Sequence, residues 1–239
     1  MSLFNSYDDF ESYCSNLPEA EKETLLVEEA FQGQEYGVDG MAVRGIFHPL
    51  LLRKKCNTPP PVCQCLGYET VSRKNDLYGL VQKRLQSIIE AIGLDNAILH
   101  ADIMICGEEI NTIELSARPS GHGIHDRLLP FSTGLNPIEE FLKLVNGDDD
   151  VVFSRSVEPM YMGFFAFSQS RVVKTPDRKY IKEKYDPVFY QPLFTEGTCF
   201  GEVLDGSITQ RGSFILKGSG DEVFEKAREL IEEFELEQL

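Results

Sequence analysis

Apolar residues recur along this chain in two rhythms, one near 3.6 and one of 2, and the switches between them mark out its elements. Residues 7–20 put Phe10, Tyr13 and Leu17 near one helical face, which predicts a short opening helix. The character then turns to strand. Leu25-Leu26-Val27 reads as a short buried strand, residues 36–47 as a longer one after a turn at Gln32-Gly33, and residues 50–54 as its pairing partner. Residues 56–73 are rich in Pro, Cys and Gly, with Pro59-Pro60-Pro61 stopping any helix, and read as an excursion loop over the mouth of a site.

From Asp76 a helix is expected with Leu77, Leu80, Val81, Ile88, Ile89 and Ile92 on one face and Gly93 just past its end. Residues 97–105 and 109–116, joined through Gly107, alternate as a β-hairpin. Asn136 as cap and Pro137 at the first helical position open a helix through Ile138, Phe141, Leu142 and Val145 to Gly147. Asp148-Asp149-Asp150 then marks a boundary, dividing the chain into 1–147 and 148–239. Beyond it come short strands at 160–167, 199–204 and 213–217. A last helix follows, opened by Ser219 with Glu222 three residues on as a capping box, and it buries Val223, Phe224, Ala227, Leu230, Ile231 and Phe234. The elements add up to an α+β chain: an antiparallel sheet with flanking helices, then a small β-rich C-terminal region.

Composition narrows the partners. The 239 residues are 42% hydrophobic and 26% charged, enough for a sizeable core. A formal charge of -16 repels nucleic acid and anionic membranes, so a bound nucleotide needs a local cation. The longest apolar runs fall far short of the roughly 20 residues that span a bilayer. The scattered Cys14, Cys56, Cys63, Cys65, Cys106 and Cys199 fit reduced thiols in a soluble cytoplasmic protein. Met1-Ser2-Leu3 has the look of a cloning remnant, and the expectation is an excised piece of a longer protein.

The chemistry concentrates on the hairpin. Glu114, Ser116 and Arg118 alternate with Ile113, Leu115 and Ala117, so three polar side chains share a face while the apolar ones pack behind. Close pairing would set Asp102 beside Glu114, an oxygen-rich arrangement suited to Mg²⁺ and phosphate, with Arg118 on a neighbouring anion. A solvated sheet face carrying an Arg–Glu pair accounts for the same periodicity. Cys63-Gln64-Cys65 lacks zinc-knuckle spacing, and no G-x-S-x-G, H-E-x-x-H or Walker A pattern occurs. Gly218-Ser219-Gly220 reads as the start of a helix and not as a phosphate loop.

Three segments in this order, Leu26-Val27-Glu28-Glu29-Ala30-Phe31-Gln32-Gly33-Gln34-Glu35, His100-Ala101-Asp102 and Glu114-Leu115-Ser116-Ala117-Arg118-Pro119-Ser120-Gly121-His122-Gly123, resemble the ATP-grasp superfamily over about residues 25–145. The resemblance is to the C-terminal lobe, near amino-acid ligases and carbamoyl-phosphate-synthase-like members. It implies ATP with Mg²⁺ or Mn²⁺. The backbone of Glu28, Glu29, Ala30 and Phe31 would meet adenine, Glu35 the ribose hydroxyls, and Asp102 and Glu114 the metal. Ser116 stands where many members carry Asn, its shorter hydroxyl reaching the ion through water. Arg118 would steady an acyl phosphate, and Ser120, Gly121, His122 and Gly123 would lie at the substrate carboxylate. For His122 a plain loop histidine explains the position equally well.

The implied partners are a carboxylate and an amine substrate, the missing N-terminal half of the same protein with its glycine-rich loop and phosphate lysines, and a second copy in a homodimer. The activity implied is carboxylate–amine ligation, the piece itself being inactive. A non-catalytic nucleotide-binding or assembly module, and a carboxylase or purine-biosynthetic enzyme, remain alternatives.

Overall fold

Arg44 (φ 53°) and Gly45 (φ 76°) both take left-handed backbone, which lets a two-residue turn follow the twist of its strands and closes the first hairpin of the computed structural model. β1 (Gln34–Val43) and β2 (Ile46–Asn57) run antiparallel from it, Tyr36 opposite Lys54 and Val43 opposite Ile46. Residues 36–47, expected as one strand, are thus divided, because an Arg-Gly pair turns the chain without the usual Asn or Asp signal. The pairing expected of residues 50–54 holds within β2. The structure describes residues 2–60, 62–148, 150–153, 155–202 and 206–239.

β3 (Cys65–Thr70) pairs with β2, so much of the expected excursion loop is strand. Pro59 and Pro60 only end the ladder, lacking the N–H it needs, and Pro61 lies outside the described residues. The opening helix also stops early. α1 (Tyr7–Ser15) is separated by Pro18 from the single turn α2 (Glu19–Lys22), and neither buries a residue. Leu25-Leu26-Val27 forms no strand: residues 25–31 have no partner strand among the described residues, and Leu26 is 79% exposed.

α3 (Leu77–Ile92) runs from Asp76 to Gly93 (φ 64°), as its boundary residues predict. Its buried residues are Tyr78, Val81, Leu85 and Ile89, which pack with Val38, Leu52, Leu99 and Ile103 of the sheet. Each such aliphatic side chain contributes about 1.5–3 kcal/mol of burial. Ile92, placed on this face by its spacing, is 59% exposed, while Ile89 in the same turn is buried.

β4 (Ala97–Cys106) and β5 (Glu109–Ser116) form the expected hairpin, with Gly107 at φ 61°. A π-turn at Ile124–Leu128 leads into α4 (Leu129–Thr133) and α5 (Pro137–Asn146). The Asn136 side chain accepts from the N–H groups of Ile138 and Glu139, as a cap should. Ile138, Leu142 and Val145 of α5 are exposed, while Glu140 turns inward and its carboxylate accepts the N–H of Val152 at 2.7 Å.

The C-terminal part comprises β6 (Met160–Phe164), β7 (Ser170–Lys174), α6 (Arg178–Tyr185), β8 (Phe189–Pro192), β9 (Cys199–Phe200), β10 (Gly212–Lys217), α7 (Gly220–Glu232) and β11 (Glu235–Gln238). The strand expected at 199–204 is described only to Phe200 and its neighbours, with 203–205 outside the described residues, as is Asp149 of the acidic boundary. α7 buries Val223, Ala227 and Leu230, but the Ser219–Glu222 capping box does not form. Glu69 of β3 takes its place, its carboxylate accepting the Gly220 N–H at 2.6 Å.

One antiparallel sheet of order β5-β4-β1-β2-β3-β6-β10-β8 runs through both halves of the chain, beside a small sheet β11-β7-β9. α3 covers one face, the π-turn and α4 sit on the other, and α6 and α7 enclose a third apolar cluster around Phe165 and Phe214. Among the described residues no helix is long and apolar enough to cross a membrane. Leu85→Ala should cost about 2–5 kcal/mol in urea denaturation, and Ile92→Ala less than about 0.5. Equal losses would contradict this orientation of α3.

Candidate functional site

The four neighbouring strands β5, β4, β1 and β2 each alternate polar and apolar residues, and the registers bring the polar ones onto one face. That face carries Glu35 and Asp39 from β1, Arg53, Lys55 and Asn57 from β2, His100 and Asp102 from β4, and Glu114 and Ser116 from β5. Val38, Leu52, Leu99 and Ala101 point the other way, under α3.

Asp102 lies directly opposite Glu114. A bulge beside this pair makes Ile113 the extra residue and leaves it 49% exposed, not packed behind the sheet as its alternation suggested. Asp102 Oδ2 accepts from Lys55 Nζ at 2.6 Å, and the same ammonium donates to Glu35 Oε1 at 2.6 Å. Asn57 donates to the other oxygen of Glu35. Burial alone would lower the Lys55 pKa, but the carboxylates of Asp102 and Glu35 outweigh it and hold the value above its usual range. Glu114 is half-exposed and accepts from Ser116 Oγ at 2.6 Å and from Arg118 Nη2 at 3.3 Å.

Beneath this row lies a buried ion pair. Asp39 and Arg53, 0% and 1% exposed, meet through Oδ2 and Nη1. Gly37 makes room for the guanidinium, since a Cβ there would lie 2.4 Å from Arg53 Cζ. His100 Nδ1 stands 3.4 Å from Arg53 Nη2. Its Nε2 stands 3.6 Å from Asp102 Oδ1, and His125 Nδ1 3.6 Å from Asp39 Oδ1. Burial would raise the Asp39 pKa, but the Arg53 guanidinium reverses the shift and holds the carboxyl well below the usual carboxylate range.

The structure therefore assembles Glu35, Asp102, Glu114, Ser116 and Arg118. Ser120 is buried with its Oγ 3.2 Å from His125 Nδ1, turned inward. His122 (φ 60°) and Gly123 (φ 79°) take left-handed backbone, Gly121 is exposed, and the His122 ring meets Phe164 edge-on. Partial burial, then the charges of Arg53 and Lys55, push the His122 pKa down. A cavity of ≈ 590 Å³ opens beside this loop, lined in part by Ser120, His125, Asp126 and Asn136. Glu28, Glu29, Ala30 and Phe31 are exposed, outside regular structure, and are not drawn onto the row. Asp39, Arg53, Lys55, Asn57, His100 and His125 escaped the sequence reading. The signal for the strand residues was polar side chains at every second position of apolar strands, in Glu35-x-Gly37-x-Asp39, Arg53-x-Lys55-x-Asn57 and His100-x-Asp102.

The donor set fits a hard divalent cation. Asp102 Oδ1 is buried without a hydrogen-bond partner, and Glu114 faces it from the next strand at the solvent edge. Among the described residues no three His, Cys, Asp or Glu side chains group into an all-protein cage. Magnesium seldom uses one, taking one or two carboxylates and completing its shell with water and phosphate.

Asp39→Asn should cost about 3–5 kcal/mol in urea denaturation, because it leaves the Arg53 guanidinium buried without a counter-charge. Folding depresses the Asp39 pKa below its unfolded value of about 3.9, so its contribution is full above that pH and lost as pH falls. The variant's stability should lack that acid-dependent loss. A variant as stable as wild type at pH 7 would contradict the ion pair.

No family model and no curated protein matches the sequence. Solved structures do match in three dimensions. An L-amino acid ligase from Bacillus licheniformis superposes with a TM-score of 0.77 at 17% identity, covering 99% of this chain and 60% of that one. A phosphoribosylglycinamide synthetase from Anaerococcus prevotii gives 0.66 at 14% identity, covering 100% and 69%. An N5-carboxyaminoimidazole ribonucleotide synthetase from Thermotoga maritima gives 0.57 at 13% identity, covering 93% and 59%. This chain thus spans 60% of the length of the amino acid ligase it matches. All three are ATP-grasp ligases, and this chain shares their fold over nearly its whole length.

Proposed function

We propose that this chain supplies the metal and carboxylate face of an ATP-dependent carboxylate–amine ligase, which activates a carboxylate as its acyl phosphate and transfers it to an amine. The observation that carries the reading is the cross-strand pairing of Asp102 with Glu114, with Asp102 Oδ1 buried and unpartnered. These two carboxylates would hold magnesium or manganese, whose chemistry when bound is to neutralise the triphosphate so that an anionic carboxylate can approach. Ser116, bonded to Glu114, would orient that carboxylate and meet the ion through water.

Arg118 sits at the exposed rim, where its planar fork suits the paired oxygens of a phosphoryl or carboxylate group. Glu35, fixed by Lys55 and Asn57, would take the ribose hydroxyls, and the backbone of Glu28 to Phe31 would close on adenine. The loop from Ser120 to Gly123 would receive the substrate carboxylate on backbone N–H groups exposed by its left-handed residues. His122, whose protonated form is disfavoured by burial and then by the nearby cations, would lie beside that substrate. The TM-score of 0.77 to an amino acid ligase, against 0.57 to the N5-carboxyaminoimidazole ribonucleotide synthetase, supports an amino acid or peptide-like substrate over a carboxylase role. The sequence contains no glycine-rich loop flanked by strand-borne lysines, so the 239 residues alone are expected to hold ATP weakly and turn over none.

The test is ATP-dependent phosphate release by the full-length protein against panels of carboxylates and amines, beside an Asp102→Asn, Glu114→Gln double variant. The double variant should lose at least about 10²-fold in rate; release at the parent rate would reject the ligase reading. Arg118→Lys should lower kcat while leaving ATP affinity within about threefold, since only the reacting oxygens need the guanidinium fork. A loss confined to ATP affinity would move Arg118 to the nucleotide.

A further inference from the structure

We infer that His100 is a positioning residue for Asp102, held in a single tautomer by the buried Arg53–Asp39 pair. The inference rests on the ligase reading only for what Asp102 does. His100 is buried on β4 two residues before Asp102, on the same face, opposite Asp39 on one side and Ser116 on the other. Its Nδ1 lies 3.4 Å from Arg53 Nη2, within hydrogen-bonding distance, and 3.7 Å from Asp39 Oδ1, beyond it. A guanidinium nitrogen only donates, so Nδ1 presents its lone pair and the ring proton resides on Nε2.

Nε2 is the nitrogen that faces Asp102, 3.6 Å from Oδ1. That oxygen is buried and has no hydrogen-bond partner, while Oδ2 is occupied by Lys55. A shift of about half an ångström would bring donor and acceptor to bonding distance. Arg53 cannot turn away from the ring. It is paired with Asp39, stacked 5.1 Å over the Tyr68 ring, and seated in the gap that Gly37 leaves. The tautomer is therefore set by the core of the sheet, and the ring passes that order to the carboxylate. Partners of this kind, hydrogen-bonded behind a ligand, typically contribute 10–100-fold to metal affinity.

The experiment uses the full-length protein with Mn²⁺ as probe, titrated by EPR in the presence of a non-hydrolysable ATP analogue. Wild type is compared with Asp102→Asn, His100→Leu, which keeps the volume, and His100→Gln, which restores an N–H donor. His100→Leu should weaken Mn²⁺ binding at least about tenfold, His100→Gln should return it to within about threefold, and metal-free nucleotide binding should not change. Independently, ¹⁵N NMR of the wild-type histidine rings should show His100 protonated on Nε2. If Asp102→Asn binds Mn²⁺ as wild type does, the ligase reading falls. If Asp102→Asn weakens binding and His100→Leu does not, or if the ring carries its proton on Nδ1, the ligase reading stands and the role of His100 is overturned.

Discussion

A salt bridge closed off from water, Asp39 to Arg53, is the constraint around which the site is arranged. Taking both charges out of solvent is expensive, and either one alone would be more so. The pair therefore fixes β1 against β2 at one register, with Gly37 obligatory beside it. Asp39 also draws in His125 from the turn after β5, and His125 holds Ser120. The strand that carries the buried anion and the loop proposed for the substrate are fastened to each other through one imidazole.

The chain carries a net charge of -16, and its site face sets Arg53, Lys55 and Arg118 among four carboxylates, Glu35, Asp39, Asp102 and Glu114. Long-range repulsion and short-range attraction act on different scales here. A polyanion far away meets the overall charge, screened beyond about 8–10 Å, whereas on the face itself each of these cations is held against a carboxylate.

Much of this was legible in the sequence. The helix from Leu77 to Ile92, the hairpin carrying Asp102 and Glu114, and the capped helix after Asn136 announced themselves through period, cap and glycine. The failures share a cause. Leu25-Leu26-Val27 has the composition of a strand, but a strand exists only where a neighbour offers its hydrogen bonds. Ile138, Leu142 and Val145 are apolar yet exposed, whereas Glu140 lies on the buried side of α5 with Phe141 and Leu144 and binds a backbone N–H that only the fold brings near. Lys55 and His100 went unread for a related reason: their roles depend on which strands lie side by side, and the order β5-β4-β1-β2 is a property of the folded sheet. The capping of α7 by Glu69 is the extreme case, since no local window contains both residues.

The central position of β3 also has a bearing on how the molecule comes into being. One edge of β3 is satisfied by its near neighbour β2, but the other waits for β6, and β6 in turn waits for β10, which follows about fifty residues later. During synthesis the middle of the sheet is consequently a bare, hydrogen-bond-hungry border until most of the polypeptide has left the ribosome. Such distant pairings close slowly because the intervening chain must surrender its freedom first. A nascent chain of this topology spends its vulnerable interval with that border open to other chains, and shielding by a chaperone would matter most in this interval.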